Sequence, residues 1–193
     1  MHSRILLAED EPITRMDISE ILTCSGYEVV GASDGLEAVE LCRVNRPDLV
    51  IMDIKMPNLD GIQASKIIMK EKLADAVVML TAYSGKEFVD EVKEIGVIGY
   101  VVKPIDERTL IPQIEIAISK SKEIKAVMDE AANAKQRAEN VRTIHRAKEM
   151  LMDKYSIKEN DAYKRMRKLS MDRHCTILQT SRNLIERYGG KVD

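Results

Sequence analysis

The sequence predicts an α/β protein: a five-stranded, doubly wound parallel sheet over residues 1–118, then a long helical linker over 119–140 and a small three-helix all-α domain over 141–189. Three observations carry this expectation. Short runs rich in Val, Ile and Leu alternate five times with segments whose apolar residues recur every three or four positions, the mark of repeated strand–helix units. No strand-like run follows Ile118. Residues 120–140 are rich in Ala, Lys and Glu, all good helix formers.

The strands are expected at 5–8, 28–32, 49–52, 77–80 and 100–102. They are mostly uninterrupted by polar residues, which suits strands buried on both faces of a parallel sheet. The helices between and after them are expected at 12–24, 35–44, 61–71, 86–95 and 107–119, with spacings such as Ile13, Met16, Ile18, Ile21 and Leu22 that place apolar residues along one helix face. In an open sheet of this kind ligands sit beyond the carboxyl ends of the strands. Along the linker Ile124, Val127, Ala131, Ala134, Ala138 and Val141 alternate three and four apart. That is a heptad seam, weakened by its alanines, able to pair two chains or to run as a single helical connector. The last domain reads as helices over 141–155, 157–172 and 175–188, with Ser156 and Glu159 in capping-box spacing and Gly189 and Gly190 as the stop.

Composition narrows the function classes. With no Trp and one Phe (Phe88), aliphatic side chains and 11 Met must fill the core. Cys24, Cys42 and Cys175 are odd in number and widely spaced, which argues against a disulfide framework or a zinc site. Neither a secretion signal nor a run of about 18 apolar residues is found, so a cytoplasmic protein without a membrane span is expected. Charge is uneven: residues 1–118 carry 12 Lys and Arg against 21 Asp and Glu, a net of −9, whereas 141–188 carry 12 against 6, a net of +6. A basic tail on an acidic body suggests an anionic partner, although a merely solvated helix surface would look the same.

Four polar elements fall at successive strand ends: Glu9, Asp10 and Glu11 after the first, Asp53 after the third, Thr81 after the fourth, and Lys103 with Pro104 after the fifth. Each alone is weak, but together on a five-fold strand–helix pattern they are specific. Carboxylates gathered at one rim repel one another and attract a hard cation such as Mg²⁺, which prefers oxygen ligands and keeps several waters. A carboxylate there can attack a phosphoryl group in line, with a lysine and a hydroxyl pairing with the phosphoryl oxygens.

The motifs ILLAEDEP, DLVIMDIKMPNLDG, VVMLTAYS and GYVVKPID make residues 1–118 resemble a bacterial response-regulator receiver domain, whose sheet is flavodoxin-like. The resemblance implies that Asp53 accepts the phosphoryl group from a sensor histidine kinase. It implies Mg²⁺ held by Asp10, Asp53 and the backbone carbonyl of Lys55, with Glu9 acting through water. Thr81 would be the hydroxyl switch, Tyr100 the aromatic switch and Lys103 the phosphate partner, with Pro104 following a cis peptide bond. Lys55 and Tyr83 would tune dephosphorylation. A Glu9–Asp10 pair in place of two aspartates is a mild departure from the family.

The segment IHRAKEMLMDKYSIKENDAYKRMRKLSMDRHCTILQTSRNLIE resembles the ANTAR domain, a three-helix RNA-binding module that prevents transcription termination. The whole arrangement is most similar to the ethanolamine-utilisation antiterminators of Gram-positive bacteria. The resemblance implies a regulator rather than an enzyme, one that dimerises on phosphorylation and binds RNA hairpins in nascent transcripts. Arg142, Arg146, Lys148, Lys154, Lys164, Arg165, Arg167, Lys168 and Arg173 suit phosphate contacts. Tyr163 and Tyr155 suit stacking on unpaired bases, while Tyr163 fits the bundle core equally well and Leu151, Met152 and Ala162 fit the core better. The alternatives are a DNA-binding response regulator, disfavoured by the absence of a Gly turn and of winged strands, and a tail that docks a protein.

Overall fold

The computed structural model describes residues 3–82 and 95–188. The helix expected over 86–95, apart from its last residue, and Tyr83, Phe88, Gly189 and Gly190 lie outside the described residues. The chain divides into two compact units, Met1–Ala126 and Val127–Asp193.

In the first unit β1 (Arg4–Ala8), β2 (Glu28–Ala32), β3 (Leu49–Asp53), β4 (Val77–Thr81) and β5 (Gly99–Val102) form one sheet in the order β2-β1-β3-β4-β5, with every pairing parallel. The two halves of the sheet run outward from β1 and β3, which creates the switch point where open sheets bind ligands. Every residue of β3 and β4 is buried, whereas the edge strands β2 and β5 are only partly so. Covering both sheet faces demands apolar residues without alternation, and separate core clusters lie on the two faces, Leu7, Ile51 and Leu80 belonging to one and Leu6, Met52 and Met79 to the other.

Helices α1 (Pro12–Cys24), α2 (Gly35–Asn45) and α3 (Gly61–Lys70) start where their sequences direct. Pro12 opens α1, where its missing N–H is no loss. Asp34 caps α2 by accepting from Glu37 N–H at 2.8 Å, and the Glu37 carboxylate reaches back to Ser33 N–H at 2.7 Å. Asp60 caps α3 through Gln63 N–H at 2.8 Å.

Helix α4 runs unbroken from Glu107 to Tyr155, joining stretches that the sequence reading divided into receiver helix, linker and first output helix. Along it Ile124, Val127 and Val141 are 48%, 61% and 65% exposed, so the heptad stripe is uncovered in the single chain. No described helix is long and apolar enough to cross a membrane.

In the second unit α4 is followed by α5 (Glu159–Asp172) and α6 (Ile177–Tyr188). Ala147, Leu151, Ala162, Met166 and Leu184 form its buried core, with Met152 packed partly buried against it. The capping box expected at Ser156 does not form. Ser156 takes a left-handed φ of 51°, and Ile157 N–H donates to Met152 O at 3.2 Å, so the serine ends α4 instead of opening α5. An N-cap needs extended backbone; Lys158 supplies it, without a side-chain cap, and α5 begins at Glu159 rather than 157. The Glu159 carboxylate is taken by Lys148. His174, at φ 49°, ends α5 in the same way, and Thr176 Oγ1 accepts from Gln179 N–H at the start of α6, which therefore begins at Ile177 rather than 175.

Candidate functional site

The parallel register brings the polar strand ends to one rim. Glu9 and Asp10 follow β1, Asp53 ends β3, Thr81 ends β4, and Lys103 follows β5. Carboxylate oxygens of Glu9, Asp10 and Asp53 lie within 4.8 Å of one another. Lys103 Nζ donates to Glu9 Oε2 at 2.7 Å and to Asp53 Oδ2 at 3.0 Å. The other Asp53 oxygen accepts from Ile54 N–H at 2.8 Å.

These contacts set the charge of the rim. Burial, reinforced by the neighbouring Asp53 charge, pushes the Glu9 carboxyl above its usual range against the pull of Lys103. Burial also opposes the charged form of Lys103, but its hydrogen bonds to Glu9 and Asp53 prevail and hold the ammonium above its ordinary value. Among the described residues three carboxyl groups thus gather around the Lys103 ammonium, and Asp10 stands exposed beside the buried Glu9 and Asp53. A rim with more acid than base, opened by an exposed carboxylate, is a fitting receptor for a small hard cation.

The loop after β3 is shaped around Asp53. Gly61 N–H donates to Ile54 O at 2.9 Å, and a Cβ on Gly61 would stand 1.8 Å from the Asp53 carbonyl oxygen, so only glycine lets α3 start this close to Asp53. Lys55 lies exposed in that loop, two residues beyond Asp53. Asn58 takes a left-handed φ of 63° and its amide donates to Asp34 Oδ2 at 2.7 Å. Thr81 is fully buried, its carbonyl accepting from Lys103 N–H at 2.8 Å. The Lys103-Pro104 peptide is cis. Tyr100 is 41% exposed on the edge strand. The sequence reading missed two residues: Gly61, whose signal was the Asp-Gly pair at the start of a helix, and Arg15, whose guanidinium donates to the Glu9 carbonyl and which carries no distinctive sequence signal.

In the second unit the expected RNA-contacting cations fall into separate groups. Arg142 and Arg146 line a groove of about 370 Å³ with Arg182. Arg165 and Arg173 line a different cleft with Arg187. Lys148 is ion-paired to Glu159 with its side chain 15% exposed. The Lys154 ammonium stands 3.6 Å over the Tyr188 ring, and the Arg165 guanidinium 4.0 Å over the Tyr155 ring. Lys164 and Lys168 are exposed on α5, and Tyr163 lies on the surface rather than in the core.

A five-stranded parallel sheet carrying this acidic rim and its bridging lysine defines a receiver of the two-component systems. The response regulator receiver domain family matches residues 5–115 and the ANTAR domain family matches residues 132–185. The chain belongs to the response regulators that join a receiver domain to an ANTAR output domain. Over 191 residues it is 42% identical to the transcriptional regulatory protein PdtaR of Mycobacterium tuberculosis, covering 98% of this chain and 93% of that protein. The narrower likeness to the ethanolamine-utilisation antiterminators rests on motif spacing alone. Among solved structures, the Vibrio cholerae chemotaxis protein CheY4 superposes with a TM-score of 0.58 at 29% identity, over 61% of this chain and 99% of that one. The receiver domain of a Pseudomonas aeruginosa sensor histidine kinase, solved with a magnesium ion in its active-site cleft, superposes with a TM-score of 0.56 at 28% identity, over 62% of this chain and 99% of that one.

Proposed function

We propose that this protein is a phosphorylation-controlled transcription antiterminator of the cytoplasm, not an enzyme. The observation that carries the reading is the Lys103 ammonium bridging Glu9 and Asp53 at the carboxyl ends of β1, β3 and β5. Asp10 and Asp53, with the Lys55 carbonyl and with Glu9 through water, would hold Mg²⁺; the ion supplies charge neutralisation for the incoming phosphoryl group. The Asp53 carboxylate oxygen attacks the phosphorus of a kinase phosphohistidine, an O–P bond forms, the N–P bond breaks, and the imidazole leaves with a proton. Lys103 turns from its carboxylate partners to the phosphoryl oxygens, and Thr81 donates its hydroxyl to them. Tyr100, on the exposed edge strand, follows the rearrangement of Thr81.

The phosphorylated receiver then favours pairing of two chains through the heptad stripe of α4, whose Ile124, Val127 and Val141 have no cover in the single chain. Two output units presented together bind RNA hairpins more tightly than one, by effective concentration. The net +6 charge of residues 141–188 supports an anionic target.

The test is a titration of hairpin RNA at fixed salt, with and without beryllium fluoride and Mg²⁺, on the natural protein and on Asp53→Ala. Binding that tightens with the mimic in the natural protein alone is expected. Tighter binding to duplex DNA would replace the antiterminator with a DNA-binding regulator. Sedimentation giving one mass with and without the mimic would remove the pairing step.

A further inference from the structure

The RNA reading takes Arg165, Arg173 and Tyr155 singly and leaves open what the cleft they line together takes up. The cleft holds about 120 Å³, with Leu151, Leu169 and Leu184 among its lining and Tyr155 and Tyr188 at its sides. Arg165, Arg173 and Arg187 also line it, and among the described residues no carboxylate does. None of these three arginines makes an ion pair with a carboxylate among the described residues. Asn183 adds an amide able both to donate and to accept. Asn183 and Arg187 stand four apart on α6 and so share a face.

The Tyr155 ring carries the start of a stack, whereas the Tyr188 ring is already faced by the Lys154 ammonium. Arg165 lies over Tyr155 at 4.0 Å, and Arg187 lies 5.7 Å from the centre of the Tyr188 ring. The two phenols also perturb each other, Tyr155 being raised and Tyr188 lowered by the contact between their hydroxyls. A guanidinium stacked on an aromatic ring keeps its in-plane N–H donors available and offers its outer face to a further planar group.

We infer that this cleft holds one unpaired nucleotide of the RNA, its base over the guanidinium stacked on Tyr155 and beside the half-buried Leu169, its edge read by Asn183 and its phosphate met by Arg173 and Arg187. The inference rests on the RNA-binding reading above and adds to it the place where loop sequence is read. A bare phosphate has no use for a half-buried leucine and two phenols. An apolar peptide has no use for three arginines gathered at one cleft. A nucleotide uses both.

The experiment uses the full chain with beryllium fluoride and a stem-loop enriched from a randomised-loop RNA pool, and reads binding by fluorescence anisotropy. Each loop position is made abasic in turn. In the natural protein one position is expected to weaken binding by roughly ten- to a hundredfold, the worth of a stacked base. In Asn183→Ala/Arg187→Met, with an unchanged thermal melt, the intact hairpin should bind correspondingly more weakly and the same abasic site should cost nothing further. Tyr188→Leu provides a second variant with the same expectation. An abasic penalty that persists in full in both variants overturns the inference while leaving RNA binding intact. Failure to enrich any stem-loop overturns RNA binding itself, and this inference with it. Adenosine or guanosine monophosphate binding that hairpin RNA does not displace would make the cleft a free-nucleotide site and overturn the loop assignment.

Discussion

The two compact units bury themselves on different scales. Among the described residues, clusters of fourteen and thirteen buried side chains flank the receiver sheet, while the output unit is held by five. The receiver can therefore tolerate a functional rim in which three carboxyl groups crowd one lysine, because two full layers outweigh the repulsion. The output unit has little to spare, and small cores of this kind gain from whatever binds the folded state. The carboxylate rim sits on the larger core, and the basic clefts sit on the smaller.

The contrast can be broken most forcefully at Gly61. Gly61→Ala drives a methyl group into the Asp53 carbonyl, and a loss of about 3–5 kcal/mol from the receiver is expected, since backbone cannot move aside as a side chain can. Urea unfolding followed separately on the two units checks it; an unchanged receiver midpoint would refute the account of this loop. Next comes Met166→Ala in the output core, where about 2–5 kcal/mol is expected to be lost. That is enough to melt the output unit first, leaving a receiver that still accepts a phosphoryl group from acetyl phosphate. A single shared transition in calorimetry would mean that the units are not independent.

A gentler probe uses the thiols. Burial pushes the Cys42 thiol up to about 12 from an ordinary 9.0, whereas Cys175 is only half-buried. The unfolded chain ionises this thiol near 9 and the folded one does not, so the folded state binds the proton more tightly. The receiver's stability is expected to be level below pH 9 and to fall as pH rises from there toward 12. At pH 8, iodoacetamide should reach Cys24 and Cys175 well before Cys42, as mass spectrometry would read out. The smallest effect belongs to Lys148→Met. Its partner Glu159 is 66% exposed, and water screens such a pair, so thermal stability should be unchanged within error while hairpin binding is tested for any phosphate role.

The receiver was legible because its chemistry dictates residue types at strand ends. The expected strands match the observed ones to within a residue, since burial on both faces forces apolar runs that nothing else in the chain imitates. The output unit was less so. Ser156 and Glu159 have capping-box spacing, but the backbone uses Ser156 to end α4, a choice between two legitimate roles that only packing decides. The stretches expected as receiver helix, helical linker and first output helix run on as one helix, for beyond Pro112 the stretch holds neither Gly nor Pro. The basic residues were recognisable singly, yet their separation into two clefts depends on how α4, α5 and α6 are rotated about their own axes, which charge counting does not register. Lys148 illustrates the point: a cation in sequence, it proves to be half of an ion pair.

One ladder bond bears on how a chemical event at the rim is felt elsewhere. Lys103 N–H is tied to the Thr81 carbonyl, so the main chains at the ends of β4 and β5 are clamped together. With its backbone pinned and a branched side chain that favours few rotamers, the buried Thr81 can answer a new neighbour only by flipping between discrete orientations. If the rim takes up a phosphoryl group as proposed, the response would therefore be quantised, a two-position catch rather than a dimmer, its outcome passed to whatever space the threonine methyl vacates or fills.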